Sequence, residues 1–390
     1  MAGERQVKVA KLHIKNFLSL RDVELELSKL NVFVGLNSSG KSNIIRALQL
    51  LANHVKQGVP VLPEYPEYRG FKNIVHNFDV TGQVELEIEA EISGHSMRYA
   101  LILTSDNYIE KAWIESREAL RSEGRKPVAA VLTRDGVVKD FLRPEVYPLP
   151  PHYLLTAHPI YRSAFSVLPS EAAKELHQLA EMLKSFTIHS FNPKSIRAAS
   201  KVRDSPELGY DGSGLVRVLL YLYLENRKVF AEVEDVLRSL IPEVEEIIPH
   251  IEGENVELWL RVKGLREPLK PANISDGTLR ILAYITALHS STSLAAFEEP
   301  ENFVHPHLLE TIVDLARKAP CQVLMTTHSP YLLDHVKPEE VFVVEKPGTE
   351  TVVRKLSKTR EVEAVKKLLE EGGTLGEAWY SGLIGGVPKG

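Results

Sequence analysis

Residues 30–55 read LNVFVGLNSSGKSNIIRALQLLANHV, and the fold turns on how they divide. LNVFV, residues 30–34, is a mostly apolar run, interrupted only by Asn31, with aromatic and β-branched members, the pattern of a buried strand. From Ile44 onward apolar residues recur at three and four, the period of a helix. Between them GLNSSGKS, residues 35–42, fits G-x-x-x-x-G-K-[ST] in strand–loop–helix context. Each residue type has a task there. Gly35 and Gly40 let the backbone turn tightly and approach phosphate oxygens. The loop and first helical turn, from Asn37, Ser38, Ser39 and Gly40 to Lys41, Ser42 and Asn43, supply an anion cradle at a helix N-terminus. Lys41 reaches the β- and γ-phosphates, and Ser42 offers an oxygen to Mg²⁺, a hard ion that prefers oxygen. A chance Gly/Ser-rich turn is the competing reading, and it leaves strand, helix and lysine unexplained together.

The rest of the chain bounds the problem. At 390 residues, with 44% hydrophobic and 25% charged, it reads as a soluble globular protein, either one large domain with an insertion or two modest domains. Cys321 is the single cysteine, which excludes an intrachain disulfide and a cysteine-rich zinc site. The start, MAGERQVKVAKLHIKNF, lacks the apolar region of a signal peptide, and no stretch approaches a membrane span, so a cytoplasmic location is expected. A net charge of −5 argues against a wholly basic nucleic-acid-coating protein, while leaving room for a local basic face. Glutamine is scarce, at 6 positions, beside plentiful Glu, Lys and Arg, a composition thermophiles favour.

Runs such as GQVELEIEAEI and RYALILT give residues 1–104 a strand-rich character. Residues 56–82 read as loop. VAAVLTRDGVVKDFL reads as a hairpin turning at Asp135-Gly136, and residues 169–188 as a helix with Ser170 as N-cap. Two helical runs fill 213–240. After the strand NVELWLRVKG, residues 255–264, the order becomes helix 279–289, strand 294–297, helix 306–318, strand 322–326, helical turn 330–335 and strand 340–345. Such alternation predicts a parallel sheet with crossover helices. A nucleotide-binding core in two blocks, 1–104 and 246–345, is therefore expected around an inserted, mostly helical lobe at 105–245. A helical tail at 346–390 follows.

Three further motifs fit that core. LAAFEEPENFVHP, residues 294–306, ends an apolar strand in two carboxylates: Glu298 would hold Mg²⁺ through water, and Glu299 would orient or deprotonate the attacking water. Without a phosphate loop upstream, this would be an acidic turn. CQVLMTTHSP, residues 321–330, is a second buried strand ending in His328, read as a γ-phosphate sensor. ISDGT, residues 274–278, opens a helix 23 residues before Glu298, and Ser275 with the backbone of Gly277 would form a second anion site. With phosphates already cradled at 35–42, the spare site suits a nucleotide held by another copy, as in a head-to-tail dimer sandwiching two ATP. Its alternative is a capped helix start.

In this order and at these distances the set resembles the ATP-binding cassette superfamily. GLNSSGKS stands for Walker A, ISDGT for the signature, FEEPE for Walker B with its base, NFVHP for the D-loop region and TTHSP for the switch histidine. The EEPE form, the SDG signature, LHIKNFLSLRDVELEL and GYDGSGLVRVLLYLYLEN resemble the RecF, SMC and OLD-like branch, whose members work in DNA repair, chromosome maintenance and phage defence. The resemblance implies an α/β P-loop ATPase head, ATP and Mg²⁺ as cofactors, and an ATP-dependent homodimer. Departures are Asp276 in place of the signature's second glycine, Thr278 in place of glutamine, and Glu298 where aspartate is general. No glutamine stands as a Q-loop, though His158 and Tyr161 lie where one would fall. Between Ser42 and Ser275 there are no sustained heptads for SMC-type arms, and the 62 residues after His328 lack the acidic clusters of a Toprim nuclease module.

Two functions lead. One is a DNA-acting ATPase, with NPKSIRAASKVR supplying Lys194, Arg197, Lys201 and Arg203; Lys194, Arg197 and Lys201 would line one side of a helix and contact phosphates. A solvated basic face explains the same residues. The other is an ATPase subunit regulating a separately encoded effector nuclease. A transporter's nucleotide-binding subunit is disfavoured by the signature and the EEPE motif. A nucleotide-gated scaffold without activity is disfavoured by the intact Lys41, Glu299 and His328.

Overall fold

The computed structural model describes residues 7–57, 70–92, 94–105, 108–115, 117–123, 128–132, 138–140, 174–291, 293–302 and 304–386. The chain forms two compact units, residues 1–28, 37–186 and 344–353 in the first, and residues 29–36, 187–343 and 354–390 in the second.

The first unit is built on an eight-stranded sheet ordered Leu20–Glu26, Val7–Phe17, Val84–Ile92, His95–Leu103, Tyr108–Ile114, Arg117–Glu123, Val128–Leu132, Val138–Asp140, each neighbour antiparallel. VELEIEAEI shows why: Val84, Leu86, Ile88, Ala90 and Ile92 are buried while the intervening glutamates face outward, so a slip of one residue would bury four carboxylates. The helices Lys41–Gln57 and Lys174–Lys184 cover the sheet's apolar face. There His54 Nε2 lies 3.3 Å from Glu110 Oε1 with both side chains fully buried, and Tyr99 donates to the same oxygen at 2.7 Å.

The second unit holds most of a six-stranded sheet ordered Thr187–His189, Leu294–Glu298, Gln322–Thr327, Leu30–Val34, Val341–Glu345, Val352–Lys355, with the pairs from Thr187–His189 through Val341–Glu345 parallel. Its strands lack alternation because residues on both faces are buried; Phe297 and Phe33 are examples, each worth about 1.5–3 kcal/mol of transfer free energy. The Asp276–Ser290 helix is buried at every position from Ile281 to Leu288, and Tyr284 can sit among them because its hydroxyl donates to Ile312 O at 3.0 Å. A three-stranded antiparallel sheet, Ser200–Lys201, Asn255–Val262, Val244–Glu252, completes the unit.

The expected α/β head with a β-rich N-terminal part and a parallel core sheet is what the chain forms. Two local expectations change. The helix expected over 169–188 ends at Lys184, and Thr187–His189 becomes an edge strand paired with Ala295–Phe297, where its β-branched residues fit a pleated surface. The stretch 105–245 is shared between the units: its strands from Tyr108 to Asp140 extend the first sheet, while its helices Leu215–Glu225 and Arg227–Leu240 pack in the second unit. Strands Val128–Leu132 and Val138–Asp140 pair as the expected hairpin; Asp135-Gly136, like Ser170, His158 and Tyr161, lies outside the described residues.

Candidate functional site

Parallel register decides what meets at the sheet's C-terminal edge. Glu298 pairs with Thr326, and Thr327 with Val34. Glu298, Glu299, His328 and the start of the 35–42 loop therefore emerge side by side, where open α/β sheets bind ligands. Glu299 takes φ +47, a left-handed conformation uncommon for a residue with a Cβ. Three bonds hold it there. Its N–H donates to Thr326 O at 3.0 Å, Asn302 Nδ2 donates to Oε2 at 2.8 Å, and His328 Nδ1 lies 3.1 Å from Oε1. The strain turns two carboxylates that would alternate across a strand toward one end of it. Glu298 Oε2 accepts from Tyr210 at 2.9 Å.

Behind this pair Glu301 is buried and accepts from Thr327 Oγ1 at 2.5 Å, its second oxygen meeting no partner among the described residues. Burial raises its pKa, against the lowering effect of the threonine bond.

The loop leaves Val34 in the second unit and enters the first at Asn37. There Ser38 and Gly40 both have positive φ, +64 and +103. A Cβ on Gly40 would lie 2.0 Å from Thr351 Oγ1 and 2.9 Å from Ser19 Oγ, so glycine is required by conformation and by space. Thr351 Oγ1 donates to Ser39 O at 2.8 Å and lies 2.6 Å from Ser19 Oγ, which accepts from Asn43 Nδ2 at 2.7 Å. Ser19 and Thr351 thus prop the loop from 332 residues apart, and neither carries a motif. Lys41 is buried, as is Ser39, whose Oγ has no hydrogen-bond partner among the described residues.

Ser275 caps the Asp276–Ser290 helix, accepting from Thr278 N at 3.1 Å, with Gly277 in its first turn. The neighbouring basic segment corrects one expectation. Its helix is only Pro193–Arg197, followed by the strand Ser200–Lys201, so Lys194, Arg197 and Lys201 do not line one helix face. Arg197 points into the turn: Nε donates to Pro271 O at 3.0 Å, and Nη2 to Ile274 O at 2.7 Å and Asp276 Oδ1 at 2.5 Å. A guanidinium spent this way is no DNA contact. Lys194, Lys201 and Arg203 are exposed, with Lys201 Nζ 4.0 Å from Glu254. Tyr210 and Arg197, both missed or misassigned from sequence, act across 88 and 79 residues, where local pattern carries no signal.

Comparison with known proteins finds ATPase domains. Residues 8–120 match a family model described as AAA ATPase domain, and residues 167–334 match one for an AAA domain, labelled with the AbiEii toxin and Type IV TA system. The OLD nuclease of Thermus scotoductus is 23% identical over 383 residues, covering 88% of this chain and 63% of that protein. The chain is thus similar to ABC-type P-loop ATPases of the RecF, SMC and OLD branch. An uncharacterized protein of Methanocaldococcus jannaschii is 30% identical over 108 residues, 26% of this chain and 49% of its own. The chain thus spans less than two thirds of the curated relatives it matches. Among solved structures, an Smc head bound to the C-terminal winged-helix domain of ScpA shares the fold at TM-score 0.56 and 14% identity, over 91% of this chain and 99% of that one. The Gly40 cradle and the paired carboxylates lie on the 35–42 and 294–306 stretches that carry the sequence resemblance. No described helix is long and apolar enough to cross a membrane.

Proposed function

We propose that this protein binds Mg-ATP on the 35–42 loop, closes into a head-to-tail homodimer around two nucleotides, and hydrolyses them to drive action on DNA in repair, genome maintenance or phage defence. The observation that carries the reading is Glu299, held in a strained conformation between His328 and Asn302 beside Glu298. Strain of about 1–3 kcal/mol persists only where surrounding structure enforces it, and such residues cluster at active sites.

The residues fit the ligands. Among the described residues Ser39 Oγ is buried without a partner, and a phosphate oxygen would satisfy it. Ser42 and Glu298 both offer hard oxygen donors to Mg²⁺, which neutralises charge developing on the phosphates. In this reading Lys41 pairs with the β- and γ-phosphates, Glu299 orients the attacking water and accepts its proton, and His328 donates to the γ-phosphate. Ser275 and Gly277 receive the partner's nucleotide. Lys194, Lys201 and Arg203 supply phosphate contacts at the protein surface. The likeness to an OLD nuclease favours nucleic acid as the target, and equally a role as the ATPase subunit that controls a separate nuclease.

Light scattering of Glu299→Gln with and without Mg-ATP tests the reading. The variant should bind ATP without turning it over, accumulate as a dimer that requires Ser275, and then retain duplex DNA in a salt-sensitive manner. A monomer at saturating Mg-ATP would refute the sandwich.

A further inference from the structure

We propose that Arg197 is the charge partner that makes the ISDGT turn able to hold a nucleotide phosphate, an inference that rests on the dimer reading above. Asp276 occupies the first helical position after the Ser275 cap, at the positive end of a 15-residue helix. A carboxylate there is favourable for the helix alone. It is unfavourable for a triphosphate arriving at the same end, since like charges several ångströms apart at a partly desolvated site weaken binding by about tenfold to a hundredfold. The turn therefore carries a residue at odds with its assigned task.

Arg197 resolves the conflict. Its guanidinium reaches Asp276 Oδ1 at 2.5 Å and crosses the turn to the carbonyls of Pro271 and Ile274. The planar fork allows all three bonds at once, which an ammonium on a flexible stem does not reproduce. Arg197 itself is fixed. The Pro193–Arg197 helix buries Pro193 and Ile196, and Asn192 caps it by accepting from Lys194 N. The positive charge thus comes from another segment, so nothing within ISDGT reveals it. Arg280, one turn further along the helix, is half-buried; burial lowers its pKa, and Asp276 and Glu299 oppose that shift. The turn and its surroundings thereby change from anionic to neutral or positive while keeping the aspartate that starts the helix. Arg197 is a positioning residue here; it reaches the nucleotide only through the turn.

The alternative is a purely structural staple, in which Arg197 matters only for the carbonyls it holds. Charge rescue separates the two. In the Glu299→Gln background, the ATP concentration for half-maximal dimer should rise about tenfold or more in Arg197→Ala. Arg197→Gln, which keeps a donor for the turn carbonyls but no charge, should show a similar loss. Adding Asp276→Asn to either variant should bring the value back to within about threefold of the parent. Binding of a fluorescent ATP analogue to the monomer should be unchanged throughout, and thermal midpoints should show each variant folded. Two results overturn the proposal while leaving the dimer reading intact: Arg197→Gln dimerising like its parent, or a loss that Asp276→Asn does not rescue. A parent that forms no ATP-dependent dimer overturns both.

Discussion

Replacing Gly40 by alanine would place a methyl group 2.0 Å from Thr351 Oγ1, 2.9 Å from Ser19 Oγ and 3.0 Å from Thr351 Cβ, on a backbone held at φ +103. Two costs add. The backbone conformation is sparsely populated for any residue with a Cβ and costs about 1–3 kcal/mol. Thr351 must also withdraw from Ser39 O and Ser19 Oγ, which removes about 0.5–1.5 kcal/mol per bond and about 1–3 kcal/mol more if a buried polar atom is left unpaired. A loss of roughly 3–5 kcal/mol follows, with a marked loss of ATP affinity because the loop's backbone N–H groups lose their aim. Thr351→Ala alone should cost about 1–2 kcal/mol through the same hydrogen bonds. In the double variant the new methyl meets atoms at 2.9–3.0 Å in place of a hydroxyl at 2.0 Å, and bonds already lost cannot be lost again. The double should therefore fall short of the sum of the singles by about 1–2 kcal/mol. Urea denaturation of the four proteins, followed by nucleotide titration, measures this. Additivity within about 0.5 kcal/mol would refute the claim that Thr351 is what crowds Gly40.

Two further variants probe the carboxylates. Burial raises the pKa of Glu301 above the ordinary 4.5, so its acid form favours folding at low pH, and that contribution is lost as pH rises through the folded value. Glu301→Gln cannot ionise; its thermal midpoint should gain on the wild type as pH rises above the ordinary 4.5, whereas parallel curves would show that Glu301 does not titrate there. Tyr210→Phe removes the 2.9 Å bond to Glu298 Oε2. Because Tyr210 is 43% exposed, stability should move by less than about 1 kcal/mol, while the Mg²⁺ concentration for half-maximal ATP turnover rises by up to about tenfold. An unchanged Mg²⁺ requirement would remove Tyr210 from any part in orienting that carboxylate.

What the sequence determined by itself was whatever depends on near neighbours. The apolar run at 30–34 with Gly35, Gly40 and Lys41 behind it specified a strand, a loop and a helix, because pleat, tight turn and helical period are local. The apolar strands at 294 and 322 separated by a crossover helix specified a parallel sheet, and parallel register then brings Glu298 and His328 to one edge. VELEIEAEI announced its two faces through strict alternation.

The tertiary structure alone decided the polar partners. Ser19 and Thr351 beneath Gly40, Tyr210 on Glu298 and Arg197 on Asp276 are single hydrogen bonds between residues far apart in the chain. Hydrophobic patterning repeats and is legible as a period. One hydrogen bond does not repeat, and the same arginine reads equally well as a solvated cation, a DNA contact or a clamp until its surroundings are known. The strands from Tyr108 to Asp140 show the same limit at larger scale. Their residues declare them strands, but which sheet an edge strand joins depends on which edge is open, and that is settled only when the other strands are in place.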